Sequence, residues 1–430
     1  MQPSTSISPA ASPDEAIQRL LARIGPVEHE SLPLECTAGR FVADATTLLT
    51  DRDSPPADVS AMDGYALRHA DLSLRTIPIA GEVRIGLAPP TLPAGACLRI
   101  VTGGPVPQGA DAVVKREEVT EAPDRITIDE AVAKRIRSGE NIRRRGENGA
   151  AGTAILSSGA ILTAAGIGAL AAAGIMTVTV ARPLRVAILT TGDELVSHRA
   201  DEVNEGGNLR ALRPFTPWQL RDSNGPALAA LLASAAWIGR VDRSHVADEE
   251  AALDAAIQSA LSSADALLLT GGVSMGHRDF VPQCLARAGV DTLFHTVPQR
   301  PGKPVLGGVS RRGQPVLGLP GNPVSVLVTA RRMAWPVLAR LAGCPQSAST
   351  STADGLVLLR NADERTLHLW WQRLVRNADD GAVDLVDGRG SGDVIAAARS
   401  DGFVELPPLA CGPGPWPYYR WAPSAGAFRS

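Results

Sequence analysis

The chain reads as an α/β and β multidomain protein, with a doubly wound α/β domain set between segments that are mostly β. Three observations predict this. Its 430 residues exceed what one ordinary hydrophobic core accommodates. Between about residues 184 and 341, short apolar runs ending in Gly- or Pro-rich turns alternate with helical patterns. That alternation predicts a parallel sheet covered on both faces. From 44 to 145, and again beyond 343, short β-type runs are broken by frequent turns instead.

The elements follow in order. Ser12-Pro13-Asp14-Glu15 opens the first helix. Ser12 suits the cap, Pro13 the first turn, and Glu15 completes a capping box. Ile17, Leu20, Leu21 and Ile24 then form an apolar stripe at helical spacing. Runs 77–79, 98–101, 112–114 and 125–128 make the first β region. Thr163 caps an Ala-rich helix over 164–173, Gly174 ends it, 176–180 alternates as a strand, and Pro183 marks a boundary. Strands are then expected over 185–190, 266–270, 292–297 and 316–319, and helices over 226–236, 248–262, 280–288 and 324–341. The tail carries runs at 356–359, 367–371 and 403–406 and reads as a small β-barrel or sandwich.

Composition removes several function classes. A formal net charge of −3 and 4% aromatic residues give neither the basic footprint nor the stacking platforms of a nucleic-acid binder. The five cysteines (Cys36, Cys97, Cys284, Cys344, Cys411) include no C-x-x-C pair, so no thiolate zinc site or redox dithiol is written here. The seven histidines show no metal spacing. Residues 1–12 lack the apolar core of a signal peptide. The longest small-apolar stretch, 160–180, is punctuated by Gly and Thr. A soluble cytoplasmic protein is expected, with no membrane and no nucleic acid among its partners.

Four loops of the α/β region carry chemistry, and ligands of such sheets sit beyond the carboxyl ends of the strands. Thr191-Gly192-Asp193-Glu194 places two carboxylates at a strand end, where they can hold a hard cation or simply face solvent. Thr270-Gly271-Gly272-Val273-Ser274 exposes backbone N–H groups and a hydroxyl suited to a phosphate, and Asp279 beyond it either caps a helix or binds metal. Arg300-Pro301-Gly302-Lys303-Pro304 holds two cations on a stiff turn suited to an oxyanion. Gly318-Leu319-Pro320-Gly321-Asn322-Pro323-Val324-Ser325 brings Ser325 into the first turn of a long helix. In the β region, Ser60-Ala61-Met62-Asp63-Gly64-Tyr65-Ala66 sets a carboxylate beside a tight turn, and Thr102-Gly103-Gly104-Pro105 forms another polar turn. Arg143-Arg144-Arg145 is most simply a solvated surface. Gly166-Ile167-Gly168 mimics a dinucleotide fingerprint but lacks the preceding strand and the following acid.

In this order the segments resemble the MoeA/gephyrin-E family of molybdopterin molybdenumtransferases. Residues 60–66 resemble S-A-M-D-G-Y-A, 102–114 T-G-x-P-V-P-x-G-A-D-A-V-V, and 141–147 E-N-I-R-R-R-G-E-D short of its last residue. Residues 191–195 resemble T-G-D-E-L, 221–224 the following D-S-N, 270–279 G-G-V-S-x-G-x-x-D, 301–304 P-G-K-P, and 318–325 G-L-P-G-N-P-V-S. The α/β region alone is also similar to the CinA-type pyridine-nucleotide hydrolases, which share T-G-D-E-L but lack the β-region motifs.

The resemblance implies four domains. Residues 1–44 and 146–182 would form an elongated N-terminal α+β domain for linkage and dimerisation. Residues 45–145 would be an inserted mostly β domain, 183–342 a MogA-like molybdopterin-binding α/β domain, and 343–430 a C-terminal β-barrel. It implies a homodimer that inserts molybdate into the dithiolene of adenylylated molybdopterin and releases AMP with Mg²⁺. Its further partners would be the molybdopterin adenylyltransferase and recipient apo-molybdoenzymes. By matching, Asp63, Thr102, Glu194, Asp248, Asp279 and Lys303 would be catalytic, with Glu194 and Asp279 on the metal. Gly271, Gly272, Ser274, Arg300, Lys303, Pro320, Asn322, Pro323, Ser325, Arg373 and Ser391 would bind substrate. Asn148 stands where the family has Asp and keeps a second reading open, a catalytically weakened carrier or scaffold for the cofactor. Arg300 stands where many members have Lys, and the linker around 210–218 has no role assigned by the resemblance.

Overall fold

The computed structural model describes residues 9–43, 47–196, 216–273, 279–349 and 352–423. They form two compact units. Unit 1 comprises Met1–Thr46, Ser157–Ile167 and Thr177–Ser430, and unit 2 comprises Thr47–Leu156 and Gly168–Met176.

Unit 1 is built on a six-stranded sheet in the order Ile238–Val246, Leu184–Thr191, Ala266–Thr270, Pro315–Leu319, Leu306–Val309, Asp291–His295. Both faces are covered, and the side-chain period shows how. Val186, Ile188 and Leu268 point into one core with Leu228, Leu232, Val326 and Leu338. Their neighbours Ala187, Leu189, Leu267 and Leu269 point into a second core with Leu253, Ile257 and Leu285. Burial on both faces is why these strands read as unbroken apolar runs.

The sheet is mixed, not wholly parallel. The first four strands run parallel, but Leu306–Val309 is antiparallel to both Pro315–Leu319 and Asp291–His295. Two strands were unforeseen. Ile238–Val246 is a polar edge strand, with one neighbour and mostly exposed side chains. Leu306–Val309 hides behind a glycine pair. A Cβ at Gly307 would lie 2.3 Å from the Phe294 ring, so packing demands the residue that weakens the strand signal.

The first helix is Pro13–Leu21, with Ser12 Oγ accepting from the Glu15 N–H at 3.1 Å. Glu15 reaches back to the Ala11 N–H at 2.7 Å rather than to Ser12 itself. The helix expected over 324–341 is one rod in three windings: Pro323–Thr329, a π-type turn Ala330–Ala334, and Trp335–Leu341. The wide turn lies just before Pro336, which cannot donate to the regular ladder. Consecutive Arg331 and Arg332 are both buried there. Arg331 pairs with Asp354 at 2.8 Å, and Arg332 with Glu405 at 3.0 Å and Asp14 at 2.5 Å.

The tail sheet runs Gln299–Arg300, Trp370–Asn377, Gly402–Leu406, Trp416–Arg420, Gly355–Val357, with Val383–Leu385 also on Trp370–Asn377. A parallel bridge from Leu359 to Val383 brings the ladder back on itself. The strand expected over 367–371 begins at Trp370 and runs on to Asn377.

Unit 2 holds a six-stranded sheet in the order Ala112–Lys115, Gly64–Leu67, Cys97–Ile100, Thr76–Glu82, Arg125–Ile128, Val119–Glu121. Gly64 of the motif around Asp63 is dictated by packing, because a Cβ would stand 1.9 Å from the Val114 carbonyl oxygen.

One ion pair ties down two central strands of unit 1 at their starts. Arg182 donates to both oxygens of Asp265 at 2.7 and 2.8 Å, and the Arg185 N–H adds a bond at 2.8 Å. Burial alone would raise the Asp265 carboxyl, but these bonds hold it below the usual carboxylate range. The stabilisation is therefore complete above the unfolded value of about 4 and is lost as pH falls through the lower folded value. Acid titration of stability should show this loss below about pH 4 in wild type and not in Asp265→Asn, which should be less stable at neutral pH by about 1–3 kcal/mol.

Candidate active site

The carboxyl ends of the four parallel strands lie side by side, and their loops differ in charge from one side to the other. After Ile238–Val246 and Leu184–Thr191 come carboxylates; after Ala266–Thr270 come two glycines; after Pro315–Leu319 comes a cation-lined cavity.

On the acidic side, Asp193 accepts from the Asp248 N–H at 3.0 Å. Burial, then the Asp193 and Glu194 charges, push the Asp248 carboxyl above its ordinary value. The three carboxylates crowd one another electrostatically. Gly192, at φ 140°, turns the chain so sharply that a Cβ would sit 2.7 Å from the Glu194 oxygens. Asp222 anchors the next helix, accepting from the Gly225 N–H at 3.0 Å and from Thr190 Oγ1 at 3.3 Å. Among the described residues, no group of three or more His, Cys, Asp or Glu is arranged to hold a metal by itself.

In the middle, Gly271 and Gly272 have φ of 88° and 62°, a region glycine reaches without strain. A Cβ on Gly271 would meet the Thr191 oxygen at 2.8 Å, and a Cβ on Gly321 would lie 3.8 Å from the Gly271 Cα. The glycines thus let the loops from three neighbouring strands approach. Ser274 lies outside the described residues. Asp279 is half-buried, and the N-cap of helix Val281–Arg287 is Phe280, with no side-chain cap bond, rather than Asp279.

On the basic side, a cavity of about 990 Å³ is lined by Arg300, Lys303, Pro320, Asn322, Ser325, Arg373 and Ser391, all expected from the sequence, and by Arg365 and Trp371, which were not. Pro323 is the first residue of the adjoining helix. Strand Gln299–Arg300 pairs with Trp370–Asn377 in the register Arg300 to Trp371, which joins the cationic turn to the tail sheet. Arg373 lies 4.3 Å over the Trp371 ring and donates to Asp363 at 2.8 Å; Arg365 shares that carboxylate. The two guanidiniums, Arg365 first, hold the Asp363 carboxyl far below its usual range. Asn322 donates to Ser391 Oγ at 2.9 Å, and the Val324 N–H to the Ser391 carbonyl at 2.9 Å, so the tail loop is fastened to the helix start. Arg365 carried no local signal, since an Arg two residues from an Asp is common. Trp371 could have been suspected from the rare Trp370-Trp371 pair.

Gly302 governs the cationic turn. It has φ 90°, and a Cβ would meet Thr329 Oγ1 at 2.4 Å and Gln299 Nε2 at 3.0 Å. Gly302→Ala should displace Lys303 and weaken anion binding by about tenfold, with a stability loss of about 1–3 kcal/mol, read by calorimetric titration and thermal melting.

In unit 2, Thr102 donates to Asp63 Oδ1 through its N–H at 2.7 Å and its hydroxyl at 2.8 Å. These bonds, the backbone one first, lower the Asp63 carboxyl. The three arginines at 143–145 each face a carboxylate: Glu147 at 3.4 Å, Asp58 at 2.7 Å and Asp53 at 2.5 Å. Asn148 accepts from Arg143 and donates to Ser54 Oγ at 3.2 Å, so its amide is engaged within its own loop. Burial pushes the Cys97 and Cys284 thiols up to about 12 and about 11, which leaves neither as a nucleophile at neutral pH.

The chain is similar to known proteins over most of its length. Residues 11–174 match the family described as "MoeA N-terminal region (domain I and II)", and residues 187–340 match "Probable molybdopterin binding domain". The molybdopterin molybdenumtransferase of Synechococcus elongatus is 37% identical over 335 residues, covering 75% of this chain and 78% of that protein. That of Haemophilus influenzae is 35% identical, covering 77% and 78%. A solved structure of a molybdopterin biosynthesis MoeA protein from Pyrococcus horikoshii superposes with a TM-score of 0.70 at 25% identity, covering 96% of this chain and 99% of that one. The chain belongs to the MoeA family of molybdopterin molybdenumtransferases, enzymes of molybdenum cofactor biosynthesis.

Proposed function

We propose that the chain inserts molybdate into the dithiolene of adenylylated molybdopterin and releases AMP, acting in the cytoplasm as a homodimer. The observation that carries this reading is the convergence of Arg300, Lys303, Ser325, Arg373 and Ser391 on one cavity, while Asp193, Glu194 and Asp248 gather beyond neighbouring strands of the same sheet. A dianionic oxyanion suits the first group of residues. A phosphoanhydride with its cation suits the second. Insertion needs no protein thiol, because both sulfurs come from the pterin. Two Mo–S bonds form as one Mo–O bond breaks, and that oxygen leaves as water with the two thiol protons, so molybdenum keeps its oxidation state; a water adds across the P–O–P bond, giving AMP and the pterin's monophosphate.

The carboxylates fit Mg²⁺: they are hard oxygen donors, and their mutual repulsion, seen at Asp248, is what a divalent cation relieves. Glu194 and Asp279 would hold it, as the matching motifs imply, with the Asp193 and Asp248 charges close to Glu194. Bound there, the ion would polarise the phosphate oxygens of the anhydride. Lys303 and Arg300 would balance the molybdate charge, and Arg373 would be oriented by Asp363 and Trp371. Gly271 and Gly272 would offer backbone N–H groups to phosphate, and Asp63 and Thr102 are proposed as further catalytic residues on the strength of the motifs that carry them. The closed tail ladder is read as the family's C-terminal barrel. The enzyme that adenylylates molybdopterin and the apo-molybdoenzymes would deliver the substrate and receive the product.

Purified protein supplied with adenylylated molybdopterin, Mg²⁺ and molybdate should release AMP only when molybdate is present and should reconstitute an apo-molybdoenzyme. Glu194→Ala should abolish AMP release while leaving molybdate binding intact. Tight binding of the pterin without AMP release would make the chain a carrier instead.

A further inference from the structure

A second cavity, of about 1020 Å³, lies in the tail of unit 1 and shares Val386, Asp387 and Gly388 with the first. The wall between them is the run Asp387-Gly388-Arg389-Gly390-Ser391-Gly392-Asp393. One side of this wall serves the site already described, through Ser391. The other side faces three arginines, Arg376, Arg389 and Arg399.

These arginines differ from most others in the tail. Arg331, Arg332, Arg360, Arg365 and Arg373 all pair with carboxylates. Arg376, Arg389 and Arg399 line the cavity, are exposed, and form no ion pair among the described residues. Of the cavity's two carboxylates, Asp393 is already engaged: it accepts from the Arg389 N–H and the Ala396 N–H, both at 3.0 Å. The cavity lining thus sets three guanidiniums against two carboxylates, Asp387 and Asp393, the latter acted on by the Arg389 charge, while Asp384 acts on Arg376 from outside the lining. Gly392 of the wall lines the cavity and leaves it open, since a Cβ there would meet nothing within 4 Å. The floor is partly apolar, with Ile395 61% exposed.

We propose that this second cavity is a binding site for a small polyanion, a phosphate ester or free oxyanion carrying two or more negative charges. Three guanidinium forks lining one cavity outnumber its carboxylates, and phosphate oxygens are acceptors that match a guanidinium fork. Ser391 fastens the shared wall to Asn322, so the site borders the main cavity without using its cations. The proposal extends beyond the transferase reading and does not depend on it.

The test is calorimetric titration of the full chain at low salt with inorganic pyrophosphate and, separately, with AMP. Wild type should bind, and added salt should weaken binding. The double variant Arg376→Ala, Arg399→Ala should lose about tenfold or more in affinity with an unchanged melting temperature. Lys303→Ala, which weakens anion binding in the main cavity, should retain the binding that the double variant loses. If the double variant lowers the melting temperature, Arg389→Ala alone should reproduce the loss. AMP binding more tightly than pyrophosphate, with a selective loss in Ile395→Asp, would identify a nucleotide as the ligand; equal binding would identify the phosphate alone. Wild-type affinity in the double variant, or loss of binding in Lys303→Ala, would overturn the proposal.

Discussion

Arg332→Ala is expected to destabilise unit 1 by about 3–5 kcal/mol, enough to leave much of it unfolded at physiological temperature. The Arg332 and Glu405 side chains are each only 3% exposed. Glu405 receives Arg332 Nε and Nη2 and also Gln372 Nε2 at 2.8 Å. Without the guanidinium, a carboxylate would be left buried with a single amide donor, and the desolvation of that charge would be uncompensated. Replacing both partners, as in Arg332→Met with Glu405→Leu, should recover most of the loss, because the penalty lies in the unpaired charge rather than in the absence of the pair. Urea titration of the three proteins decides the matter. A double variant no more stable than Arg332→Ala would show that the pair itself contributes the stability. The consequence reaches the cavity, since Gln372 lines it.

Lys303→Ala is expected to lower turnover by about 100-fold to 1000-fold while leaving the fold intact. Lys303 is exposed, and its main chain is held by the bond from the Val297 N–H to its carbonyl at 3.1 Å, so the fold does not depend on its ammonium group. Charge that faces an oxyanion in a walled cavity acts with less screening than the same charge in water. Lys303→Arg should restore only part of the activity, because a planar fork does not occupy the place of a compact ammonium. Molybdate-dependent AMP release measures both variants, and undiminished release by Lys303→Ala would remove this residue from the mechanism.

How far the sequence could be read depended on whether a signal was local. Ser12 and Pro13 carry their cap within a few residues, and the structure reproduces it, while Glu15 turns to the Ala11 N–H instead of closing the box on Ser12. Ala266–Thr270 was legible because burial on both faces requires an apolar run. The edge strand Ile238–Val246 was not, since an edge needs no such run. Proline within a long apolar pattern, at Pro336, is the local clue to the π-type turn. The strand-end loops could be found as Gly- and Pro-rich turns. The joining of residues 299–304 to Trp371 and Arg373 could not, because it depends on a two-residue strand pairing across the chain. Arg373 and Ser391 were anticipated by resemblance alone, and Arg365 by nothing.

The contact between Asp14 and Arg332 couples residues 318 positions apart. During synthesis the first helix, nine residues long, emerges well before the arginine, strands and second helix it packs against, and alone it is too short to persist in water. Most of unit 2, Thr47–Leu156, is complete long before the tail of unit 1 leaves the ribosome. The inserted unit is thus free to fold first, while the amino-terminal segment waits for the last third of the chain. Truncation before the helix Trp335–Leu341 would therefore strand the amino terminus as well, leaving an apolar stripe exposed at the opposite end of the polypeptide.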